Sequence, residues 1–444
     1  MIDHLKFLLE TEGNIFLTGK AGTGKSTLIN QFCEHFVKTN KIVKLAPTGI
    51  AAYNIGGQTI HSFFKFKITT TIDSVYFEEE VAKICKSVKV IIIDEVSMLR
   101  PDLLDCIDQS LRLHTGKSKS PFGDIKMIFV GDLYQLEPVV KSGELLDYET
   151  KYFFSAKVFK YSKLKIKELD KIHRQNDPVF IDFLNKVRLG NLSYLELNQL
   201  NHLLSTSLDR ELITLTTTNH KALIINNENL LKNKHPEESS SAVIEGEFNS
   251  NNILAEEELV LKYDCKVMIL ANGTCFDDPN RAYFNGSIGL FRGFDVRWKK
   301  EYDEEEGKKV DVAIPVALVN LEGRIIVAKE FTWSNFQYVE VKNINPKTNK
   351  ITITIELQQV GSFSQIPLKL GYAFSIHKSQ GLTFDGINID LGQQTFSNGQ
   401  LYVALSRCRT LEGINMFRKI YPSDIRKNKI IDNYLKENQN AARF

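Results

Sequence analysis

Short, almost unbroken apolar runs separated by amphipathic stretches fill the first third of the chain. Asn14–Thr18, Ile42–Ala46, Val88–Ile93 and Lys126–Val130 have the character of strands covered on both faces. Helical periodicity between them predicts helices over Lys25–Val37, Thr48–Ile55 and Pro101–Leu113. Strand and helix in alternation predict a parallel α/β domain over residues 1–163. A second alternation begins near Leu164, with a strand at Leu212–Thr216 and a helix from His220. It breaks off, resumes at Gly371, runs through Ile387–Leu391 and a helix around Gln400–Ser406, and closes on a helical stretch at Ser423–Glu437. The second domain is therefore expected over 164–264 and 366–444.

The interruption, residues 265–365, has a period of two instead. Strands are predicted at Ser287–Phe294, Val310–Val319, Arg324–Ala328, Gln337–Val341 and Lys350–Leu357, with no helical stretch. That is the pattern of a small inserted β-barrel or sandwich. Lys299–Lys309 gathers acidic residues around Gly307 and reads as a solvated hairpin tip.

Composition narrows the classes. At 444 residues, 43% hydrophobic and 25% charged, the chain is an ordinary globular protein too long for one core. A net charge of +2 gives no global basic signal, so a nucleic-acid surface would have to be a local groove. The six cysteines form no C-x-x-C pair and have no histidine at zinc spacing, as in a reduced cytosolic protein. No apolar run approaches the ~20 residues that span a bilayer, and Met1 is followed almost at once by the first strand, without a presequence. A soluble, cytoplasmic monomer is expected.

The chemistry begins at GKAGTGKS, residues 19–26, which follows an apolar strand and opens a helix. Gly22 and Gly24 let backbone amides turn inward around a β-phosphate without a Cβ in the way. Thr23 and Thr27 flank the cradle, Lys25 neutralises β/γ oxygens, and the Ser26 hydroxyl is placed for Mg²⁺. ATP and Mg²⁺ are the expected cofactors. The apolar strand ending in Asp94-Glu95 adds hydrolysis: the first carboxylate suits the metal shell, the second can deprotonate an attacking water. Alone, such a pair is as often a helix cap. The strand at Lys126–Val130 then carries Gln135 to the carboxyl edge of the sheet, where an amide can sense the γ-phosphate.

These motifs, in this order, resemble those of superfamily-one DNA helicases of the Pif (petite integration frequency) family. The resemblance rests on LTGKAGTGKS (17–26), LAPTGIAA (45–52), TIHSFFKF (59–66), IIIDEVSM (91–98), GDLYQLEPV (131–139), IHRQ (172–175), SIHKSQGLT (375–383) and LYVALSRCR (401–409). The segment between Glu95 and Gly131, with its Pro121-Phe122-Gly123, is similar to the stretch that separates this family from Dda-like and RecD-like relatives. The resemblance implies an α/β fold of two RecA-like P-loop domains with parallel sheets, the insert being a β-barrel of Src-homology-three-like type. It implies Arg174 as arginine finger and Arg407 as second arginine sensor, both from the second domain, with Gly381 also at the nucleotide. It further implies 5′-to-3′ movement on single-stranded DNA, with forked duplexes and G-quadruplexes as substrates. A Dda-like or RecD-like helicase, an RNA translocase and a P-loop NTPase that does not move are the alternatives.

Single strands are held by phosphate contacts plus stacking on flat side chains. Candidates in the first domain are Pro47, Thr48, Gly49, His61, Ser62 and Phe63, the last as a stacking ring; Phe64 and Phe66 read as core. In the second they are Thr217, Asn219, His377, Lys378 and Ser379. Residues 67–87, with Thr69–Thr71 and Tyr76–Phe77, occupy the place where relatives carry a small strand-splitting pin. One departure stands out. Relatives carry an adenine-reading glutamine upstream of the P-loop, whereas no glutamine precedes Gln31 here. Weak discrimination among purine triphosphates is predicted: kcat/KM for ATP over GTP below 100-fold, about 2.7 kcal/mol, with a larger preference contradicting it.

Overall fold

Each apolar run of the first half has a covered face on both sides, and this decides the sheet it joins. The computed structural model describes residues 2–35, 41–67, 69–141, 144–250, 253–303, 308–344 and 351–441. Strands β1 (Asn14–Gly19), β2 (Ile42–Ala46), β3 (Gln58–Thr59), β4 (Val90–Ile93), β5 (Lys126–Gly131) and β6 (Leu164–Leu169) form a parallel sheet in the order β3-β2-β4-β5-β1-β6. Helices α1 (Ile2–Glu10) and α2 (Lys25–Glu34) cover the face that presents Ile15, Leu17, Ile92 and Ile128. Short helices α3 (Gly49–Asn54) and α4 (Ile60–Phe64) follow, capped by the Thr48 and Thr59 hydroxyls. Helices α5 (Glu79–Ser87) and α6 (Pro101–Thr115) cover the other face, onto Phe16, Ile91, Ile93 and Phe129. Pro101 in its first turn and left-handed Gly116 at its end bound α6.

Two sequence expectations change here. A helix, α1, precedes the first strand, and β6 belongs to the first sheet, pairing with β1 along Asn14–Gly19, so the break at residue 163 moves beyond Leu169. The helix expected to Val37 is α2, which ends at Glu34; residues 36 and 37 lie outside the described residues.

Helices α7 (Pro178–Leu189) and α8 (Tyr194–Leu203), strand β7 (Ile213–Thr216) and helix α9 (Asn219–Lys232) open the second half. The β-rich insert starts earlier than expected, with β8 (Glu237–Ser241), β9 (Val243–Gly246), β10 (Glu258–Lys262) and β11 (Lys266–Ile269). It continues through β12 (Gly273–Thr274), β13 (Ala282–Tyr283), β14 (Ile288–Asp303), β15 (Lys308–Leu321) and β16 (Arg324–Lys329). Strands β17 (Phe331–Ile344), β18 (Ile351–Gln365) and β19 (Leu368–Leu370) complete it. An antiparallel sheet β16-β15-β14-β11-β19 packs Val267, Phe291, Val316 and Leu368 into its own core, while β17-β18-β9 forms a second sheet. The tip expected at Lys299–Lys309 joins β14 to β15; its residues 304–307 lie outside the described residues, as does Lys350 at the start of the last expected strand. Strands β20 (Ala373–Ser375), β21 (Ile387–Asp390) and β22 (Ile414–Met416) join β7 in a parallel sheet, β20-β7-β21-β22, on which α10 (Gln400–Leu405) lies.

The last helix, α11 (Lys429–Ala441), crosses back. Its Ile431 enters the first half's core, Tyr434 stacks on Phe154 at 3.9 Å, and Asp432 accepts a 2.6 Å hydrogen bond from the Tyr134 hydroxyl. The assignment of residues up to 444 to the second domain is thus corrected at α11. No described helix is long and apolar enough to cross a membrane.

The long β17–β18 hairpin also reaches the first half. Tyr338 is buried in the first half's core; its hydroxyl accepts the Lys44 N–H at 2.8 Å, and its own N–H donates to Gln58 Oε1 at 3.3 Å. Phe63 lies edge-on to Tyr338 at 6.0 Å and to Phe64 at 4.7 Å, and is 3% exposed. It is a core ring in this structure rather than a platform for bases, because the docked hairpin covers the side of α4 that sequence leaves open. Tyr338→Phe strands the Lys44 N–H, a loss of about 1–3 kcal/mol. Tyr338→Ala also opens a cavity, for about 3–5 kcal/mol. Midpoints of thermal unfolding fall in that order, while Trp298→Phe on exposed β14 leaves the midpoint in place. Equal midpoints for all three would contradict the docking.

Candidate active site

The phosphate loop is shaped by glycine. Gly22 and Gly24 have φ of 77° and 83°, and a Cβ at Gly22 would stand 2.6 Å from Cβ of Arg174. The Lys25 ammonium donates to the carbonyls of Gly19 (2.6 Å) and Lys20 (3.0 Å). Burial pulls its pKa down, opposed by the carboxylates of Asp132, Glu95 and Asp94.

Those carboxylates come from the ends of β4 and β5. Asp94 Oδ1 accepts the Glu95 N–H at 2.9 Å, and Glu95 holds a left-handed backbone (φ 51°), a strain of about 1–3 kcal/mol for a residue with a Cβ. Burial raises both carboxyls, and the charge of Asp94 raises Glu95 further, against the pull of Lys25 and Arg407. A carboxylate with raised proton affinity beside a metal-type carboxylate is suited to taking a proton from water.

A cleft of about 1280 Å³ brings the predicted nucleotide residues together. Residues 22–27, Asp94, Glu95 and Gln135 line it from the first half; Gly381 (φ 83°) and Arg407 line it from the second. Ser26 and Asp94 share its wall, a hydroxyl and a carboxylate that suit Mg²⁺, which takes oxygen ligands and keeps waters and substrate phosphates in its shell.

Arg174 reaches the cleft by another route than expected. It lies on the segment between β6 and α7, clamped to both halves: the neighbouring His173 N–H donates to Gly22 O at 2.8 Å, and Arg174 Nη1 donates to Ser406 O at 3.4 Å. Gln175 adds bonds to the carbonyls of Ser406 and Cys408. Arg407 is 2% exposed, its guanidinium satisfied by Val403 O, Leu382 O and the Ser406 hydroxyl. Burial and the neighbouring Arg174 lower its proton affinity.

The residues proposed from sequence as DNA contacts divide. Thr48, His377 and Lys378 line the nucleotide cleft itself, with the His377 ring nearly parallel to Phe396 at 6.3 Å. Pro47, Gly49, His61 and Ser62 are half-buried at the carboxyl ends of β2 and β3; Ser62 accepts from Gln58 at 2.8 Å, and burial lowers the pKa of His61. Asn219 accepts from the Ser375 hydroxyl, and the Thr217 carbonyl accepts from buried Gln400. Ser379 is fully buried, its hydroxyl donating to Ile376 O at 2.8 Å, so its side chain is spent on the turn and does not face a ligand. In the expected pin, 67–87, the later part is core helix α5; Tyr76 and Phe77 before it are about half exposed, and Phe77 stacks on His114. Ile68 lies outside the described residues.

Sequence reasoning passed over Asp132, Arg188 and Tyr402. Asp132 and Tyr402 sit inside motifs read only for Gln135 and Arg407. Arg188 carries no motif signal; its place is set by the packing of α7.

The PIF1-like helicase family model matches residues 5–197. Bacteroides sp. Pif1 in complex with ADP-AlF4 is 35% identical, with TM-score 0.82 over 99% of this chain and 96% of that one. This chain belongs to the PIF1-like helicase family. Bacteroides Pif1 bound to single-stranded DNA is 34% identical with TM-score 0.66 over the same shares. The ATP-dependent DNA helicase PIF1 of Mus musculus is 30% identical over 414 residues, 91% of this chain and 57% of that protein. The chain therefore spans little more than half of that longer PIF1 protein.

Proposed function

We propose that this chain is an ATP-dependent DNA helicase that moves 5′ to 3′ on single-stranded DNA and opens forked duplexes and G-quadruplexes. The observation that carries the reading is the convergence of Lys25, Asp94 and Glu95 with Arg174 and Arg407 on one cleft between two parallel sheets. Lys25 and the loop amides hold the phosphates, and Ser26 and Asp94 hold Mg²⁺. Glu95 takes the proton of the attacking water, while Gln135 and the two arginines meet the charge developing on the γ-phosphate. Because Arg407, just past α10, belongs to one half and the phosphate loop to the other, the nucleotide sets the spacing of the two.

The track runs along the carboxyl ends of both sheets, through Pro47, Thr48, Gly49, His61 and Ser62 on one side and Thr217, Asn219, His377 and Lys378 on the other. DNA seen in the Bacteroides relative supports that chemistry. Tyr76, exposed ahead of α5, is the strand-splitting wedge. The five-stranded antiparallel sheet supports a Src-homology-three-like barrel for the insert. Six thiols, five of them buried, support the reducing cytoplasm as its compartment, and a monomer suffices for every residue named.

ATP hydrolysis with and without single-stranded DNA tests the reading. Strong stimulation is expected in wild type, none in Lys25→Ala, and a kcat lower by about 10³-fold in Arg174→Ala. Hydrolysis indifferent to DNA overturns the reading. On forks with a single tail, unwinding is expected from the 5′ tail, and Tyr76→Ala loses strand separation while keeping ATPase activity. Opening from a 3′ tail alone would reverse the polarity.

A further inference from the structure

One hydroxyl sits where the parts of the active site meet. The N–H of Ala21, inside the phosphate loop, donates to Tyr402 Oη at 2.9 Å, and that hydroxyl lies 3.1 Å from Asp132 Oδ2, to which it donates. Asp132 is fully buried and held by Arg188, whose Nη2 reaches Oδ1 at 2.8 Å and whose Nε lies 3.1 and 3.2 Å from the two oxygens. The Arg188 guanidinium rests on the Tyr134 ring at 4.4 Å.

Each member belongs to a different working part. Ala21 is in the phosphate loop; Asp132 lies on the turn that carries Gln135; Tyr402 is on α10, which leads into Arg407; Arg188 is on α7, which follows Arg174. A phenol has one proton; accepting from Ala21, it donates that proton to Asp132, and a charged carboxylate is the stronger acceptor for it. Burial alone would raise the Asp132 carboxyl, but the Arg188 charge and hydrogen bonds, with Lys25 behind them, hold it below the usual range. The chain of bonds Arg188–Asp132–Tyr402–Ala21 is therefore polarised in one direction and spans the two halves.

We infer that Tyr402 is a positioning residue that registers the phosphate loop against α10, the helix that leads into Arg407, so that DNA held by the second half speeds chemistry in the first. This rests on the helicase reading above. A shift of α10 by a fraction of an ångström is felt at Ala21 through a single hydrogen bond, and at Gln135 through Asp132. Gly399, just before α10, leaves no slack: a Cβ there would stand 2.2 Å from Gln135 O.

Tyr402→Phe keeps the ring within its buried helix and removes one oxygen. The expected result is a folded protein with KM for ATP within about twofold of wild type and a nearly unchanged rate without DNA. The kcat at saturating oligo-dT should fall about tenfold, so the stimulation ratio collapses. The thermal midpoint falls whether the role is positioning or purely structural, because the Ala21 N–H loses its acceptor. A purely structural role would lower both rates together, and that result overturns the inference. So does a variant whose stimulation ratio matches wild type. A wild type that oligo-dT fails to stimulate overturns the helicase reading itself, which separates the two failures. Should Tyr402→Phe not fold, 3-fluorotyrosine at position 402 keeps the ring, the hydroxyl and the buried Asp132–Arg188 pair while weakening the hydroxyl as an acceptor for Ala21, and must lower the stimulation ratio; an unchanged ratio there overturns the inference.

Discussion

The architecture depends on a charge pair hidden between two sheets. Asp132 and Arg188 are almost wholly removed from water. Burying either charge alone would cost several kcal/mol, and removing one partner of such a pair typically costs about 3–5 kcal/mol. The loop after β5 and helix α7 are thus held together by a requirement that tolerates little sliding. The strength of the pair lies in specificity as much as in stability, since only one register of α7 brings the guanidinium between the carboxylate and the Tyr134 ring. Three cleft residues sit on elements that this register fixes: Gln135 on the same loop, Arg174 on the segment entering α7, and Arg407 just past α10, which packs on α7.

Around that fixed joint the two halves exchange parts. Helix α11 leaves the second half and closes the first half's core, and the β17 strand lends Tyr338 to the edge of β2. A third strap is Glu137, which accepts from the Asn398 side chain at 2.8 Å and pairs with Lys151 at 2.8 Å. Such exchanges tie the two halves together on either side of the cleft. The strained backbone of Glu95 and the crowded approach of Gly22 to Arg174 both line the cleft, where packing holds such local strain in place.

The sequence was most legible where chemistry demands a local pattern. The strand, glycine loop and helix from Asn14 onward, the Asp94-Glu95 pair after an apolar strand, and the strand–helix succession from Ile387 to Leu405 all depend on neighbours in sequence. Illegible features depend on distant partners. Strand β6 is only half apolar in pattern, so nothing in it says which sheet it will edge. Phe63 could serve a base or a core until the hairpin arrives to bury it. Ser379 looked like a phosphate contact because of its loop, yet its hydroxyl closes a turn. Arg188 stood in an ordinary amphipathic helix, and only the three-dimensional placement of Asp132 gives it a role.

The central claim is that the nucleotide cleft and the DNA grip are one mechanical unit, so that what fills the first changes the strength of the second. The most direct measurement is the affinity of the intact chain for a fluorescent single-stranded oligonucleotide, read by anisotropy with and without saturating ADP-AlF4. Coupling between linked sites typically amounts to 1–3 kcal/mol, so a change in Kd of about fivefold or more is predicted. Identical affinities in the two nucleotide states would contradict the account.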